Sequence, residues 1–150
     1  MAINATDQDV CLGSSTDLTV SGANSYLWST GSTNATITVS PAITTTYTVT
    51  GTGLNGCTAE QSIVIDVLDV PAADAGADQS IFMNGTAILN GTAIGGSGSY
   101  AYLWQPAALL SDPSTASPTT VSLTATQVFT LVVTDMLTGC ESDPDQVTIT

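Results

Sequence analysis

Apolar side chains alternate with polar ones at every second position in many short segments of the chain. This period of two is typical of β-strands that bury one face. The alternating apolar positions are Leu18, Val20, Tyr26, Trp28, Ile37, Val39, Tyr47, Val49, Ile63, Ile65 and Val67 in the first half, and Leu89, Tyr102, Trp104, Val121, Leu123, Phe129, Leu131, Val133, Val147 and Ile149 in the second. Turn-forming residues separate these segments, as at positions 22–24, 29–32 and 54–56. The pattern predicts an all-β protein.

The same order of motifs occurs twice along the chain. Residues 7–22 align without a gap with residues 78–93. Later motifs also correspond: Tyr-Leu-Trp at 26–28 and 102–104, Tyr-Thr-Val-Thr at 47–50 and Phe-Thr-Leu-Val at 129–132, and Gly-Cys at 56–57 and 139–140. A Gly/Ser insertion at 95–99 accounts for the extra length of the second copy. The sequence therefore contains two repeats of roughly 70–80 residues each.

Six or seven short strands and one tryptophan per repeat describe a small β-sandwich. We predict two consecutive Ig-like β-sandwich domains, residues 1–69 and residues 70–150. The longest apolar run, residues 62–68, is interrupted by Asp66 and is too short to span a bilayer. The N-terminus lacks the basic and apolar regions of a signal peptide, so we expect that a signal was removed or that the chain is part of a longer array.

Several motifs carry a resemblance to known families. The first repeat contains residues 10–15, 26–31, 44–50 and 55–57, which resemble the Ig-like repeats of Bacteroidetes surface proteins. The second contains residues 71–79, 95–100, 110–113 and 129–135, which are similar to PKD (polycystic-kidney-disease-type) domains of the same proteins. The resemblance implies tandem sandwiches of cell-surface and secreted multidomain proteins, of the adhesin or gliding-filament type. Such modules serve as stalks, adhesin repeats, filament subunits and hydrolase spacers.

The resemblance also implies a disulfide between Cys11 and Cys57 of the first repeat. In the chain-entropy model such a bridge stabilises by about 4 kcal/mol. Phe82 stands where the second repeat would carry the equivalent of Cys11. Cys140 is therefore expected to be a free thiol or to form a link between chains.

Charge excludes several functions. The chain has 13 acidic residues and no Lys, Arg or His, which gives a net charge of −13. Without a basic patch it has no means of binding nucleic acid or anionic membranes directly. Without His or Lys it cannot assemble Ser–His–Asp, Cys–His or Schiff-base catalysis. No aspartic-protease motif is present either, so we predict a protein that is not an enzyme.

Crowded carboxylates suggest a metal instead. Asp66, Asp69, Asp74 and Asp78 lie close together at the junction of the repeats, and Asp135 follows a strand that ends nearby. Ca²⁺ binds oxygen ligands and needs neither His nor Cys, so these five residues are a candidate calcium site. The alternative is that they are solvated side chains of turns and strand ends.

Aromatic residues and exposed strand edges suggest two kinds of partner. Both tryptophans occupy matching positions and are expected in the core, which leaves Tyr100 as the candidate surface aromatic for a glycan. Without Lys to protect its strand edges, the chain is suited to homopolymeric filaments or to contacts with other repeats of its own or neighbouring chains. We therefore predict an extracellular or cell-surface structural or adhesive segment of a bacterial protein. The alternative is a carbohydrate-binding or spacer module of a secreted hydrolase.

Overall fold

A computed structural model describes residues 1–150, and nearly all of its regular secondary structure is β-strand. A single 3₁₀ turn, Ala107–Leu109, is its only helical element. The chain divides into two compact units, unit 1 (Met1–Leu68) and unit 2 (Asp69–Thr150). The predicted boundary at residues 69 and 70 lies one residue later. The prediction of an all-β fold is confirmed.

Unit 1 is a sandwich of two sheets. Its strands are β1 (Ala2–Ala5), β2 (Asp9–Cys11), β3 (Thr16–Ser21), β4 (Ser25–Trp28), β5 (Thr36–Val39), β6 (Thr45–Thr52) and β7 (Thr58–Leu68). One sheet has the order β1-β3-β5 and the other β2-β7-β6-β4. The alternation of the sequence directs one side of each strand into the space between the sheets, where Leu18, Trp28, Val49 and Ile65 form the centre of the core.

Unit 2 also consists of two sheets but has fewer regular strands. Its strands are β8 (Ala72–Asp74), β9 (Thr92–Ile94), β10 (Tyr100–Gln105), β11 (Gln127–Asp135) and β12 (Asp145–Ile149). Strands β10, β11 and β12 form an antiparallel sheet, and β8 pairs with β9. Isolated bridges, such as Ile88 with Thr119, extend the strand pairing through the loops. Trp104, Phe129 and Leu131 are fully buried at the centre of the core.

The two units share local geometry at their N-terminal segments. In unit 1, β2 runs parallel to β7, and in unit 2 Gln79 pairs in parallel with Ile149 of β12. Each segment is followed by a turn of the same kind. In unit 1 Ser14 N–H donates to Cys11 O at 2.9 Å, and in unit 2 Gly85 N–H donates to Phe82 O at 2.8 Å. The two buried indole rings also make equivalent hydrogen bonds to loop carbonyls. Trp28 Nε1–H donates to Asn34 O at 2.8 Å, and Trp104 Nε1–H donates to Thr115 O at 3.1 Å.

One predicted core position is wrong. Val121 is exposed, and its neighbour Thr120 is buried instead. Thr120 pairs with Leu110, and its Oγ1 accepts the Ala87 N–H at 2.9 Å, which satisfies the buried hydroxyl. Leu123 is nevertheless buried, as predicted. Residues 121–123 therefore lie outside the regular strands and do not keep the two-residue alternation.

Gly91 fills a position where no side chain fits. A Cβ on Gly91 would stand 2.7 Å from Trp104 Cζ2, 2.9 Å from Leu131 Cδ2 and 3.0 Å from Ala116 O. All three atoms belong to the packed interior or to backbone, so none can move away at little cost. The tryptophan of unit 2 therefore packs directly on the backbone of Gly91.

We expect Gly91→Ala to lower the free energy of unfolding of unit 2 by about 1–3 kcal/mol, because the added methyl group overpacks the core around Trp104. Urea unfolding followed by tryptophan fluorescence measures the change. Gly53→Ala is the control, because its nearest neighbour is the end of the flexible Asn55 side chain at 3.1 Å. Equal stability of the Gly91→Ala variant and the wild type would contradict the packing described for Gly91.

Candidate functional site

The position of Cys57 rules out the expected disulfide. Cys57 precedes Thr58, the first residue of β7, whereas Cys11 pairs in register with Leu68, the last residue of β7. The two cysteines therefore lie at opposite ends of an eleven-residue strand, a separation of about 35 Å at 3.3 Å per residue. Disulfides require Cα atoms within about 7 Å. The predicted Cys11–Cys57 bridge is wrong, and Cys57 is an exposed free thiol.

The expectation that Cys140 is a free thiol is also wrong. Cys11 and Cys140 are both disulfide-bonded. Cys140 is buried, at 1% exposure, whereas Cys57 is exposed. Cys57 and Cys140 thus share a Gly-Cys sequence but lie in different environments. Alignment of the two repeats therefore does not predict which of these cysteines forms a disulfide.

The five candidate calcium ligands do not come together. No group of three or more acidic or cysteine side chains is close enough to hold a metal ion. Instead, the protein's own donors bind carboxylates individually: Gly76 N–H donates to Asp74 Oδ1 at 2.8 Å, and Thr148 N–H donates to Asp78 Oδ1 at 2.7 Å. Asp66 lies exposed on β7, opposite Asp9 of β2. Asp69 is exposed at the first position of unit 2.

Asp135 has a different role from the one expected. Its side chain is fully buried at the end of β11. The Oδ1 atom accepts Ser97 Oγ–H at 2.7 Å, Leu137 N–H at 2.9 Å and Thr138 N–H at 3.2 Å, while Oδ2 accepts Ser97 N–H. Asp135 therefore ties the Gly/Ser insertion to the turn that follows β11.

These donors hold the Asp135 carboxyl in its charged form. The hydrogen bonds from the Ser97 hydroxyl and N–H lower the pKa of Asp135 far below the ordinary aspartate value, and the Leu137 and Thr138 N–H groups add to the effect against the opposing influence of burial. The charge remains buried without any cation because four donors converge on it. The site is therefore a structural anchor of the loop, with its acceptor positions already filled.

The aromatic residues form no surface platform. Trp28 and Trp104 are buried, as expected. Tyr100 packs partly buried against the core of unit 2, and its hydroxyl donates to Gly95 O. The candidate glycan contact is thus engaged within its own unit, and none of the tyrosines is exposed.

Unit 2 instead carries an exposed apolar tip, which we define as Phe82 and Met83, next to the partly buried Ile81 and the buried Leu123. Phe82 is 93% exposed and Met83 is 79% exposed. They occupy a turn held by the Gly85 N–H to Phe82 O bond, in which Asn84 has a φ of 65°. A groove of about 180 Å³ lies beside them, also lined by residues 124–126 and 149–150. An apolar pair, Phe82 and Met83, is the sequence signal for this tip, whereas alignment of the repeats identifies Phe82 only as the residue that replaces a cysteine.

Unit 1 carries a second exposed loop surface, which we call the loop hollow. It is an open concavity of about 570 Å³ lined by Gly22, Ala23, Asn24, Gly53, Leu54 and Asn55. Leu54 is 91% exposed in the turn between β6 and β7. Cys57 belongs to the same turn, and its carbonyl accepts the Gly53 N–H at 2.8 Å. No acidic residue lines either the loop hollow or the groove at the apolar tip.

Comparison with known proteins establishes the fold alone. No protein-family model matches the sequence, and no curated protein matches it. Among solved structures, the C-terminal 282-residue fragment of intimin, in complex with the intimin-binding domain of the translocated intimin receptor, superposes with a TM-score of 0.55 at 14% identity. That similarity covers 97% of this chain and 62% of the intimin fragment, so the chain spans less than two thirds of its relative.

Two further similarities have TM-scores that are too low to argue for a shared fold. Murine CEACAM1b has a TM-score of 0.40 at 10% identity, over 99% of this chain and 98% of that one. The extracellular cadherin domains 1–4 of protocadherin gamma B7 have a TM-score of 0.37 at 13% identity, over 99% of this chain and 50% of that one. The structure contains no helix long and apolar enough to cross a membrane. The protein is thus an all-β chain of Ig-like β-sandwich architecture.

We expect a maleimide reagent to label one thiol per native chain and Cys57→Ser to abolish that labelling, because Cys57 is the exposed free cysteine. The same substitution should change the free energy of unfolding by less than about 0.5 kcal/mol, as for a surface side chain. Mass spectrometry and urea unfolding measure the two quantities. A loss of several kcal/mol would instead indicate that Cys57 takes part in a stabilising bridge.

We expect Asp135→Asn to lower the melting temperature of unit 2 by several degrees at neutral pH. The folded pKa of Asp135 lies below its unfolded value of about 3.9, so its contribution is complete above that pH and is lost as the pH falls. The difference in melting temperature between wild type and variant should therefore shrink from pH 7 to pH 3. Asp143→Asn, at an exposed position outside the strands, is the control. A difference that stays constant over this range would contradict the assignment.

Proposed function

We propose that the protein is a structural or adhesive segment of an extracellular bacterial surface protein and has no enzymatic activity. The main observation in support of this proposal is that the interior of each unit is closed. Every buried polar side chain has a hydrogen-bond partner within the protein. The chemistry of a catalytic site requires groups that remain available to a substrate, and here the one buried carboxylate is fully engaged.

The surface supports the same proposal. The hollows described above are formed by short surface turns and contain no cluster of titratable groups. Large apolar side chains are exposed at turns, at Leu54, Phe82 and Met83. Exposed apolar patches on stable domains are typical of surfaces that contact other proteins. The molecule is therefore better suited to protein contacts than to catalysis.

Extracellular location is supported by the cysteines and the fold. Disulfide-bonded cysteines persist in oxidising compartments, which include the bacterial cell surface, and Cys11 and Cys140 are in this state. The intimin fragment, which shares the fold, is bound to a receptor domain. The motif resemblance adds the finer proposal, in which unit 1 is an Ig-like and unit 2 a PKD-like repeat of a Bacteroidetes surface protein that serves as stalk, adhesin repeat or filament subunit.

Immunolabelling tests this proposal directly. Antibodies raised against the 150-residue chain should label intact cells of the organism that encodes it, because a surface segment is accessible without permeabilisation. An antibody against a cytoplasmic protein is the control for cell integrity. Labelling only after permeabilisation would overturn the proposal.

A further inference from the structure

We propose that the turn between β6 and β7 carries a self-modification site, at which Asn55 loses its side-chain amide by reaction with the adjacent backbone and water. The sequence contains three Asn-Gly pairs, at 55–56, 84–85 and 90–91. A glycine after asparagine leaves the attacking nitrogen unhindered, because glycine has no Cβ. All three pairs therefore have the required chemistry, and the fold selects the first. The proposal concerns this turn alone and is independent of the proposed function.

The reaction is an intramolecular ring closure followed by hydrolysis. The backbone nitrogen of Gly56 gives its proton to solvent base and forms a bond to Cγ of Asn55. The Cγ–Nδ2 bond then breaks, and Nδ2 leaves as ammonia with a proton taken from water. Water adds to one of the two carbonyl carbons of the resulting succinimide, and the ring C–N bond breaks, which leaves aspartate or isoaspartate at position 55. The sum is one water consumed and one ammonia released, without oxidation or reduction.

A backbone donor lies at the atom of Asn55 on which charge develops. Cys57 N–H donates to Asn55 Oδ1 at 3.2 Å. An N–H group donates to the oxygen of an amide and not to its nitrogen, so this bond also fixes the orientation of the amide. When Gly56 N attacks Cγ, negative charge moves onto Oδ1, and an N–H already placed at that oxygen stabilises the tetrahedral intermediate. The turn therefore supplies the group that polarises its own asparagine.

The Asn55–Gly56 peptide is held only within its own turn. Its N–H donates to Gly53 O at 2.9 Å. Beyond the chain neighbours, no atom lies within 4 Å of the position that a Cβ on Gly56 would occupy. Both Asn55 and Gly56 are exposed. The peptide can therefore rotate toward the side chain by breaking one hydrogen bond, and water reaches the ring that forms.

The Asn90–Gly91 peptide is the opposite case. Gly91 is buried, its N–H donates to Ala116 O at 2.9 Å, and a Cβ on it would stand 2.7 Å from Trp104 Cζ2. Rotation of this peptide requires the core around Trp104 to separate, which is a local unfolding event. Ring closure at Asn90 is consequently suppressed in the folded chain.

The Asn84–Gly85 peptide is bonded to a neighbouring segment as well as within its turn. Asn84 N–H donates to Leu123 O at 2.8 Å, and Leu123 N–H donates to Gly85 O at 2.9 Å. Ser122 Oγ–H donates to Asn84 O, and Gly85 N–H donates to Phe82 O. Rotation breaks several of these bonds together. We expect Asn84 to react more slowly than Asn55, although both side chains are exposed.

Either product changes the surface of unit 1. The reaction adds one further negative charge to a chain whose net charge is −13. It places this carboxylate among the surface residues 22–24 and 53–55, none of which is acidic. Isoaspartate also carries the main chain through Cβ and Cγ, so the backbone of the turn becomes one carbon longer. Ammonia is lost to solvent, so the modification accumulates with the age of the molecule.

Peptide mapping over time tests the proposal on the intact chain. Trypsin has no cleavage site, because the chain contains no Lys or Arg. Chymotrypsin cleaves after Leu54, Phe82 and Leu89, and thereby places the three Asn-Gly pairs in separate peptides. During incubation of the folded protein at mildly alkaline pH, mass spectrometry should find position 55 modified about ten-fold or more faster than position 90, because reaction at 90 requires local unfolding. Position 84 should be intermediate.

Unfolding of the same protein by urea and reductant is the internal control. The three rates should then become similar, because each pair is an asparagine followed by glycine in a mobile chain. Equal rates at positions 55 and 90 in the folded protein would overturn the proposal, as would faster reaction at 84 than at 55. A preference for position 55 that persists unchanged in urea would show that the fold does not select the site, and would overturn it too.

Three variants test the roles of the side chains. Asn55→Gln should abolish the early gain of negative charge on isoelectric focusing, because a glutamine must close a six-membered ring, whereas the matched control Asn84→Gln should retain it. Cys57→Ser should leave the rate at position 55 unchanged, because the backbone N–H and not the thiol contacts Asn55. Loss of the reaction in Cys57→Ser would assign the step to the thiol and contradict the mechanism. Retention of the early charge gain in Asn55→Gln would place the modification elsewhere and overturn the assignment.

Discussion

The absence of every side-chain cation is the constraint on which this structure depends. Thirteen acidic residues must be accommodated without a salt bridge to Lys, Arg or His. The protein meets this demand with N–H and hydroxyl donors, as when Thr38 Oγ–H donates to Asp17 at 2.6 Å and Ala75 N–H donates to Asp145 at 2.8 Å. Asp135 is the extreme case, since its charge is buried and four donors converge on it. Such hydrogen bonds have fixed geometry, so the carboxylates also determine the shape of the loops they bind.

The abundance of threonine is related to the same constraint. Threonine favours strands because its side chain is β-branched, and its hydroxyl donates or accepts hydrogen bonds. Thr16 illustrates both properties, because it begins β3 and its Oγ1 bonds both the N–H and the carbonyl of Asp7, at 3.0 and 2.8 Å. Polar strand faces can therefore be formed without lysine or arginine.

The sequence was informative wherever burial follows from a repeating pattern. Alternation identified the strands and most of the core, including Trp28 and Trp104, because burying one face of a strand imposes a period of two. It failed at Val121, which follows the isolated bridge of Thr120 with Leu110 and lies outside the regular strands.

The candidate site was less predictable for a different reason. The Cys11–Cys57 assignment failed because spacing along the chain contains no information on which end of β7 each cysteine occupies. Asp135 was placed among metal ligands because its donors come from residues 97, 137 and 138, and only folding brings those to it. Phe82 was passed over because exposure of a turn residue is decided by tertiary structure.

The parallel pairing of β2 with β7 has a mechanical consequence. The chain enters this pair at the N-terminal end of β2 and leaves it at the C-terminal end of β7. In a parallel pair these two points lie at opposite ends, so tension applied along the chain pulls the strands past each other. Their interstrand hydrogen bonds are then loaded together in shear instead of opening one after another. Gln79 and Ile149 repeat the arrangement in unit 2. Each sandwich thus contains a parallel contact, β2 with β7 in unit 1 and Gln79 with Ile149 in unit 2, that resists stretching along its strands.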